Sequence, residues 1–383
     1  MSGNIRNIPG GTRDIMFGEA ELFRHLDTAL TELYRKNGFS EISTPAIEYY
    51  DVFERGGTMG QERMYKLTAP DGRLLVLRAD NTTPIARVAA TRLGDMLPVK
   101  LFYHQKVYRL SSGHTGRKSE IAQSGIEILG FKGIQSDLLC MVTAIETLSK
   151  FGRKCKLELG HVGFYNALIS ECGLDASESG RVRKLVEAKD VNKISGLDKI
   201  AKIPFLFGGE EIFDEATELA GDNEEALASL AYLKKLYYAL CEAGYKDSIM
   251  IDLGIVHALD YYTGAVFRGY MDGAGEPVLV GGRYDSLISR FEGDIPATGF
   301  GVNVSEVVDT LMRGGEGKYT RASSELVCFD THSLGQAVKY VSENSRAELS
   351  PINGKAENLE YAKAEGYKTL VVFEDGSQTS VVL

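Results

Sequence analysis

Three stretches of this chain gather side chains able to hold charged or hydrogen-bonding ligands. The string YRLSSGHTGRKSE carries Arg109 ahead of a Ser- and Gly-rich loop that Arg117 and Lys118 keep basic. The string LDYYTG sets Tyr261 beside Tyr262, shortly after His257. The string VGGRYDSL places Tyr284 just behind a glycine pair. A guanidinium offers a planar fork of donors to carboxylate or phosphate. A phenol can donate to, or accept from, a ring nitrogen. Each string also has a plain structural reading. Tyr261 and Tyr262 could be the core and surface aromatics of a strand. GGRYD could be a turn and a helix start, Arg109 a surface strand residue, and His257 an ordinary strand histidine.

Other chemistries find little support. The glycine pairs Gly10-Gly11, Gly56-Gly57 and Gly281-Gly282 lack the strand-GxGxxG-helix context of a dinucleotide site. The five cysteines, Cys140, Cys155, Cys172, Cys241 and Cys328, form no CxxC pair and read as reduced core thiols. No metal and no cofactor are expected. The formal net charge of -10 argues against a dedicated nucleic-acid binder, which usually carries a basic face. The opening MSGNIRNIPGGTRDIMF has no apolar run of signal-peptide length, and no stretch approaches the ~20 apolar residues of a membrane helix. A cytoplasmic location with no membrane partner is the expectation.

The elements that must position these residues follow from periodicity. Leu22, Phe23, Leu26, Leu30, Leu33 and Tyr34 share one face of a helix over 19–37, and Gly38 suits its stop. FSEISTPAIE reads as an edge or interface strand, because Pro45 removes a ladder donor. MYKLTA, the turn Pro70-Asp71-Gly72 and RLLVLRA make a hairpin. A helix over 82–93, with Pro84 in its first turn, precedes strands KLFYHQKVYRL and AQSGIEILG. A helix over 137–150 and a short strand LELG come next, and 165–244 reads as helical. SIMIDLG, LDYYTGAVFRGY and PVLVGG read as strands, a helix begins near Tyr284, and ATGFGVNVSEVVDTLMR reads as strand then helix. After the linker 314–323, ELVCFD, GQAVKYVSENSRA, ENLEYAKAEG, TLVVFED and QTSVVL read as strand, helix, helix, strand, strand. The expected class is α+β: an antiparallel sheet flanked by helices over 1–315, a helical insertion at about 165–245, and a small α/β domain over 321–383.

Six strings, taken in order, resemble class II aminoacyl-tRNA synthetases of the histidyl type. They are GGTRD, the proline of STPAIE, LRADNTTPIAR, YRLSSGHTGRKSEIAQSGIEILG, LDYYTGAVF and VGGRYDSL, and they span residues 9 to about 312. The resemblance implies a six- or seven-stranded antiparallel sheet, and a homodimer with the Pro45 region at its interface. It implies a histidine pocket in which Asp80, Thr82, Gln123 and Glu127 meet the amino group, by charge-assisted bonds where the acceptor is a carboxylate. Tyr262 and Tyr284 would meet the imidazole, with Tyr261 beside them, and Arg109 would contact an α-phosphate. Asp80 stands where that family usually has glutamate.

The same comparison marks losses. His257 stands where the resemblance implies an arginine gripping the carboxylate and α-phosphate. Glu306 stands where it implies a triphosphate-binding arginine; an opposite-charge pair at ~4 Å is worth about 4 kcal/mol at an effective dielectric of ~20, and reversing the sign turns that into repulsion. Ser111 replaces an acid that would read adenine, and Ser119 replaces an arginine. Residues 321–383 hold 6 Lys/Arg against 9 Asp/Glu, a poor match to RNA phosphates. The pattern resembles the synthetase paralogues that serve as regulatory subunits of short-form ATP phosphoribosyltransferase. That implies a chain with no catalytic residues of its own and a catalytic short subunit as partner. It also implies a homodimer within a hetero-octamer and histidine as a ligand. The alternative is a divergent histidyl-tRNA synthetase.

Overall fold

The computed structural model describes residues 7–110, 118–256, 261–318 and 322–383. Two compact units divide the chain, Met1–Gly317 and Lys318–Leu383.

The first unit begins with α1 (Phe17–Lys36). Its buried residues Leu26, Leu30, Leu33 and Tyr34 recur at helical spacing and form one stripe. Strands β1 (Ser40–Glu41) and β2 (Ile47–Tyr49) flank Pro45. Helix α2 (Tyr50–Gly56) leads to the hairpin β3 (Lys66–Thr68) and β4 (Leu74–Leu77), which completes a small sheet of order β2-β4-β3. Helix α3 (Thr82–Arg92) precedes the long strands β5 (Val99–Tyr108) and β6 (Glu120–Leu129), then α4 (Ile134–Ser149) and β7 (Cys155–His161).

Residues 162–240 contain α5 (Val162–Ser170), α6 (Ala176–Glu187), α7 (Asp198–Lys202), α8 (Ile212–Ala220) and α9 (Glu224–Leu240), with the two-residue strand β8 (Phe207–Gly208) between α7 and α8. The unit closes with β9 (Ile249–Asp252), β10 (Ala265–Met271), β11 (Leu279–Arg283), α10 (Asp285–Ser289), β12 (Ala297–Asn303) and α11 (Val304–Arg313).

The main sheet has the order β1-β5-β6-β12-β11-β10-β7-β9-β8 among the described residues. The six central strands, β5 to β7 in that order, pair antiparallel throughout. Parallel pairs stand only toward the edges, β1 with β5 and β7 with β9. The sheet is thus longer than six or seven strands only by short edge pieces.

Its two faces differ in chemistry. Phe102, Ile126, Ile128, Phe267, Phe300 and Val302 point to one side and join the core built with α1, α4 and α11. On the other side, alternation brings up Tyr103, Gln123, Gly125, Glu127, Arg268, Gly282, Gly299, Gly301 and Asn303. One face is therefore apolar and filled, and the other is polar and glycine-lined.

Tyr261 and Tyr262 do not lie in a strand, because β10 starts only at Ala265. Their rings stand 4.7 Å apart. Adjacent residues of a strand point to opposite faces, so such a pair requires a turn.

The second unit comprises β13 (Glu325–Phe329), α12 (Leu334–Glu343), β14 (Ala347–Leu349), α13 (Lys355–Ala364), β15 (Thr369–Glu374) and β16 (Ser377–Val382). Its sheet order is β14-β13-β15-β16, with the first three strands parallel. The helix expected to run to Ala347 stops at Glu343. Asn344 adopts an extended conformation there, and its side chain donates to the Tyr340 carbonyl at 2.7 Å. Ala347 then starts β14. Alternate residues of β13 and β15 face two separate cores, Leu326, Cys328, Leu370 and Val372 on one side and Val327, Val371 and Phe373 on the other.

Candidate ligand-binding cavity

A cavity of about 470 Å³ opens on the polar face of the main sheet. That volume lies in the range usual for small-molecule sites. Asp80, Thr82, Arg109, Gln123, Glu127, Tyr261, Tyr262 and Tyr284 all line it, although they come from widely separated parts of the chain. His257 lies outside the described residues, as do Ser111 and Arg117.

Strand β6 supplies Gln123 and Glu127 from one side of its pleat, and the start of α3 supplies Thr82. Asn81 donates to the Gln123 amide oxygen at 3.1 Å. Thr82 donates to Glu127 Oε1 at 3.0 Å, and the Tyr284 hydroxyl donates to Glu127 Oε2. Glu127 is 1% exposed. Burial pushes its carboxyl up to about 8; the hydroxyls of Tyr284 and Thr82 counter this in part, and the neighbouring Asp80 charge adds to it.

Asp80 is engaged differently. Its Oδ1 accepts the Thr83 backbone N–H at 2.7 Å, in the first turn of α3. Its Oδ2 accepts the hydroxyls of Thr58 at 2.6 Å and Thr83 at 2.9 Å. The carboxylate therefore serves as a helix cap. A longer glutamate side chain would extend past this position; the shorter aspartate folds back on its own helix.

Arg109 follows the end of β5. Its Nε donates to the Ala79 carbonyl at 2.8 Å, which ties it to the segment bearing Asp80. Burial lowers its basicity, and the Asp80 charge opposes that effect. The three tyrosines pack together: Tyr261 meets Tyr284 edge-on, with ring centres 6.0 Å apart, and lies 4.7 Å from the ring of Tyr262.

Glycines give the cavity its depth. Gly299 pairs across the ladder with Glu127, and a Cβ at Gly299 would collide with Glu127 Oε2 and the Ile126 carbonyl. A Cβ at Gly282 would lie 2.9 Å from the Tyr262 ring. Period-two alternation in GFGVN, which puts Gly299, Gly301 and Asn303 on one face, is the signal in the sequence that marks this floor. Sequence reasoning also missed Asn81, Tyr103, Arg268 and Glu187, which line the same cavity. Arg268 pairs with Glu187 at 2.9 Å, so the end of α6 reaches the cavity lining.

The cavity combines carboxyl and amide oxygens with tyrosine phenols, a lining suited to a small polar molecule. Comparisons with known proteins agree with this architecture. The family model for histidyl-tRNA synthetase matches residues 11–307. The ATP phosphoribosyltransferase regulatory subunit of Clostridium acetobutylicum is 38% identical over 379 residues, covering 92% of each chain. The chain belongs to the ATP phosphoribosyltransferase regulatory subunit family.

A solved structure from Bacillus halodurans, described as an ATP phosphoribosyltransferase regulatory subunit/histidyl-tRNA synthetase, is similar with a TM-score of 0.82 and 26% identity; the match covers 96% of this chain and 97% of that one. The histidyl-tRNA synthetase of a Nostoc species shares the fold alone, with a TM-score of 0.80 at 17% identity over 99% of this chain and 97% of that one. In this member of the regulatory subunit family, Glu306 forms an ion pair with Arg313. Its Oε1 accepts from Arg313 Nη2 at 3.0 Å, and its backbone N–H is capped by Asn303 Oδ1 at 3.1 Å. No helix among the described residues is long and apolar enough to cross a membrane.

Proposed function

We propose that this chain is a non-catalytic regulatory subunit of ATP phosphoribosyltransferase. It supports a separate short catalytic subunit at the first step of histidine biosynthesis, where ATP condenses with phosphoribosyl pyrophosphate, and makes that subunit sensitive to histidine. The observation that carries this reading is the near-full-length similarity to relatives of that name. The cavity supports the ligand: Gln123, Thr82 and Glu127 offer oxygens to an ammonium, and Tyr262 and Tyr284 offer phenols to an imidazole.

Loss of aminoacylation follows from the charge at Glu306. The resemblance to the synthetases puts a triphosphate-binding arginine at that position. The carboxylate found there would repel a triphosphate, and the nearby Arg313 is already paired with it. Histidine acts by binding the two functional states of the complex unequally, which is all an allosteric effector requires. A homodimer of this chain, assembled with catalytic subunits into a hetero-octamer in the cytoplasm, completes the proposal.

The test is histidine-dependent ATP–pyrophosphate exchange by the purified chain. No exchange above background is the expected result. Robust turnover would instead establish an active histidyl-tRNA synthetase.

A further inference from the structure

The path of the chain through residues 322–383 leaves a crevice at one end of the smaller sheet. From β13 the chain crosses through α12 to β14 on one flank, then through α13 to β15 on the other. Helix α12 covers the face that carries Val327 and Val371, and α13 the face that carries Leu326 and Leu370. The chain therefore leaves the adjacent parallel strands β13 and β14 toward opposite faces. Open α/β sheets bind ligands in the gap that this leaves beyond the carboxyl ends of the strands. A cavity of about 300 Å³ lies there, lined from the ends of β13 and β15 and from the loop between β14 and α13. Hydrogen bonds hold its walls. Asn358 Nδ2 donates to the carbonyls of Ile352 and Gly354 at 2.8 and 2.6 Å, and Asp330 accepts the backbone N–H groups of Ser333 and Asp375 at 2.7 and 2.8 Å.

The lining carries unmet polar capacity of both signs. The Ser350 side chain is 5% exposed and lines the cavity. Its hydroxyl accepts from the Ile352 N–H at 3.1 Å, and its own proton has no acceptor among the described residues. Lys355 and Glu374 line the same cavity, and neither forms an ion pair among the described residues. Both charges act on one wall: burial pushes the Cys328 thiol up, the Glu374 charge adds to this and the Lys355 charge counters it. Asp330 adds a second carboxylate to the lining, and Glu357 sets a third beside Gly354. A phosphate dianion would meet net repulsion from such a set. A zwitterion finds an opposite charge for each end. Much of the remaining lining is apolar, with Pro351, Ile352, Val372 and Phe373.

We propose that this crevice is a second ligand site of the chain, taking an α-amino acid with an apolar side chain as its zwitterion. The α-carboxylate meets Lys355 and the Ser350 hydroxyl, the ammonium meets Glu374, and the side chain rests on Ile352 and Phe373. A volume at the small end of ligand pockets suits a molecule of leucine's size.

Calorimetric titration of L-leucine into the full-length protein at pH 7 tests this, beside leucinamide, which lacks the carboxylate, and 4-methylpentanoate, which lacks the ammonium. The expected result is saturable binding of L-leucine, weakened about tenfold in each analogue, because each loses a charge-assisted bond. Lys355→Ala should weaken L-leucine about tenfold and leave leucinamide unchanged. Glu374→Gln should weaken L-leucine similarly and leave 4-methylpentanoate no weaker. Both side chains are exposed, so neither substitution threatens the fold. No binding of L-leucine at millimolar concentration would overturn the proposal. So would L-leucine binding unchanged in either variant, or inorganic phosphate binding more tightly than L-leucine.

Discussion

Asp80 and Glu127 bring the same functional group into one cavity and meet opposite surroundings. Asp80 accepts three hydrogen bonds and caps α3. Asp80→Ala should therefore destabilise the fold by about 1 kcal/mol, the usual cost of a lost cap, measured by urea denaturation. Gln123→Ala is the cleaner probe of ligand binding, because Gln123 bonds only Asn81 among the side chains described around it. Glu127 has a further consequence for stability. Its carboxyl in the folded protein titrates at about 8, above the ordinary 4.5, so folding is disfavoured progressively as pH rises from about 4.5 to about 8. Glu127→Gln should gain in melting temperature over the parent at pH 8 and lose that gain toward pH 4.5. An advantage independent of pH would contradict the assigned cause. At this scale the ordered strings named residues that line one cavity. It could not show that Asp80 folds back onto Thr83, because that depends on the helix start and on Thr58, 22 residues away.

The elements explain why a cavity exists at all. Strands β6 and β12 place glycines on one face and bulky apolar residues on the other, so the sheet is filled below and hollow above. Gly299→Ala should close the floor beneath Glu127. The Ile126 carbonyl blocks any easy shift, so a cost of about 1–3 kcal/mol is expected together with loss of histidine binding. Parent-like affinity in that variant would show that the ligand sits elsewhere. Helix α1 and the long strands β5 and β6 were readable because periodicity and burial coincide along them. The Tyr261-Tyr262 segment was misread as strand because two aromatics beside a β-rich run carry the same local signal as a strand. Only the packing of the two rings on one another, with Tyr261 also meeting Tyr284, sets them apart. Strand β14 was hidden for a related reason: three residues are too few for a period, and Asn344 ends the preceding helix by its own side-chain bond.

At the scale of the whole molecule, the two units have separate cores. The residues 322–383 pack two small apolar clusters around their own four-stranded sheet. Scanning calorimetry should resolve two transitions, the smaller belonging to the second unit; one cooperative transition would show that the units melt together. The boundary between these units, at Gly317, lies in a Gly-rich stretch, and a linker is a local composition signal. The partner is not local information, and it enters through the relatives that match almost end to end. The most direct measurement is reconstitution. This chain is titrated into a purified short-form catalytic ATP phosphoribosyltransferase, and phosphoribosyl-ATP formation is followed with and without L-histidine. The expected result is a saturable rise in rate that histidine reverses. A catalytic subunit indifferent to the added chain, while the chain alone exchanges ATP and pyrophosphate in the presence of histidine, would contradict the regulatory role.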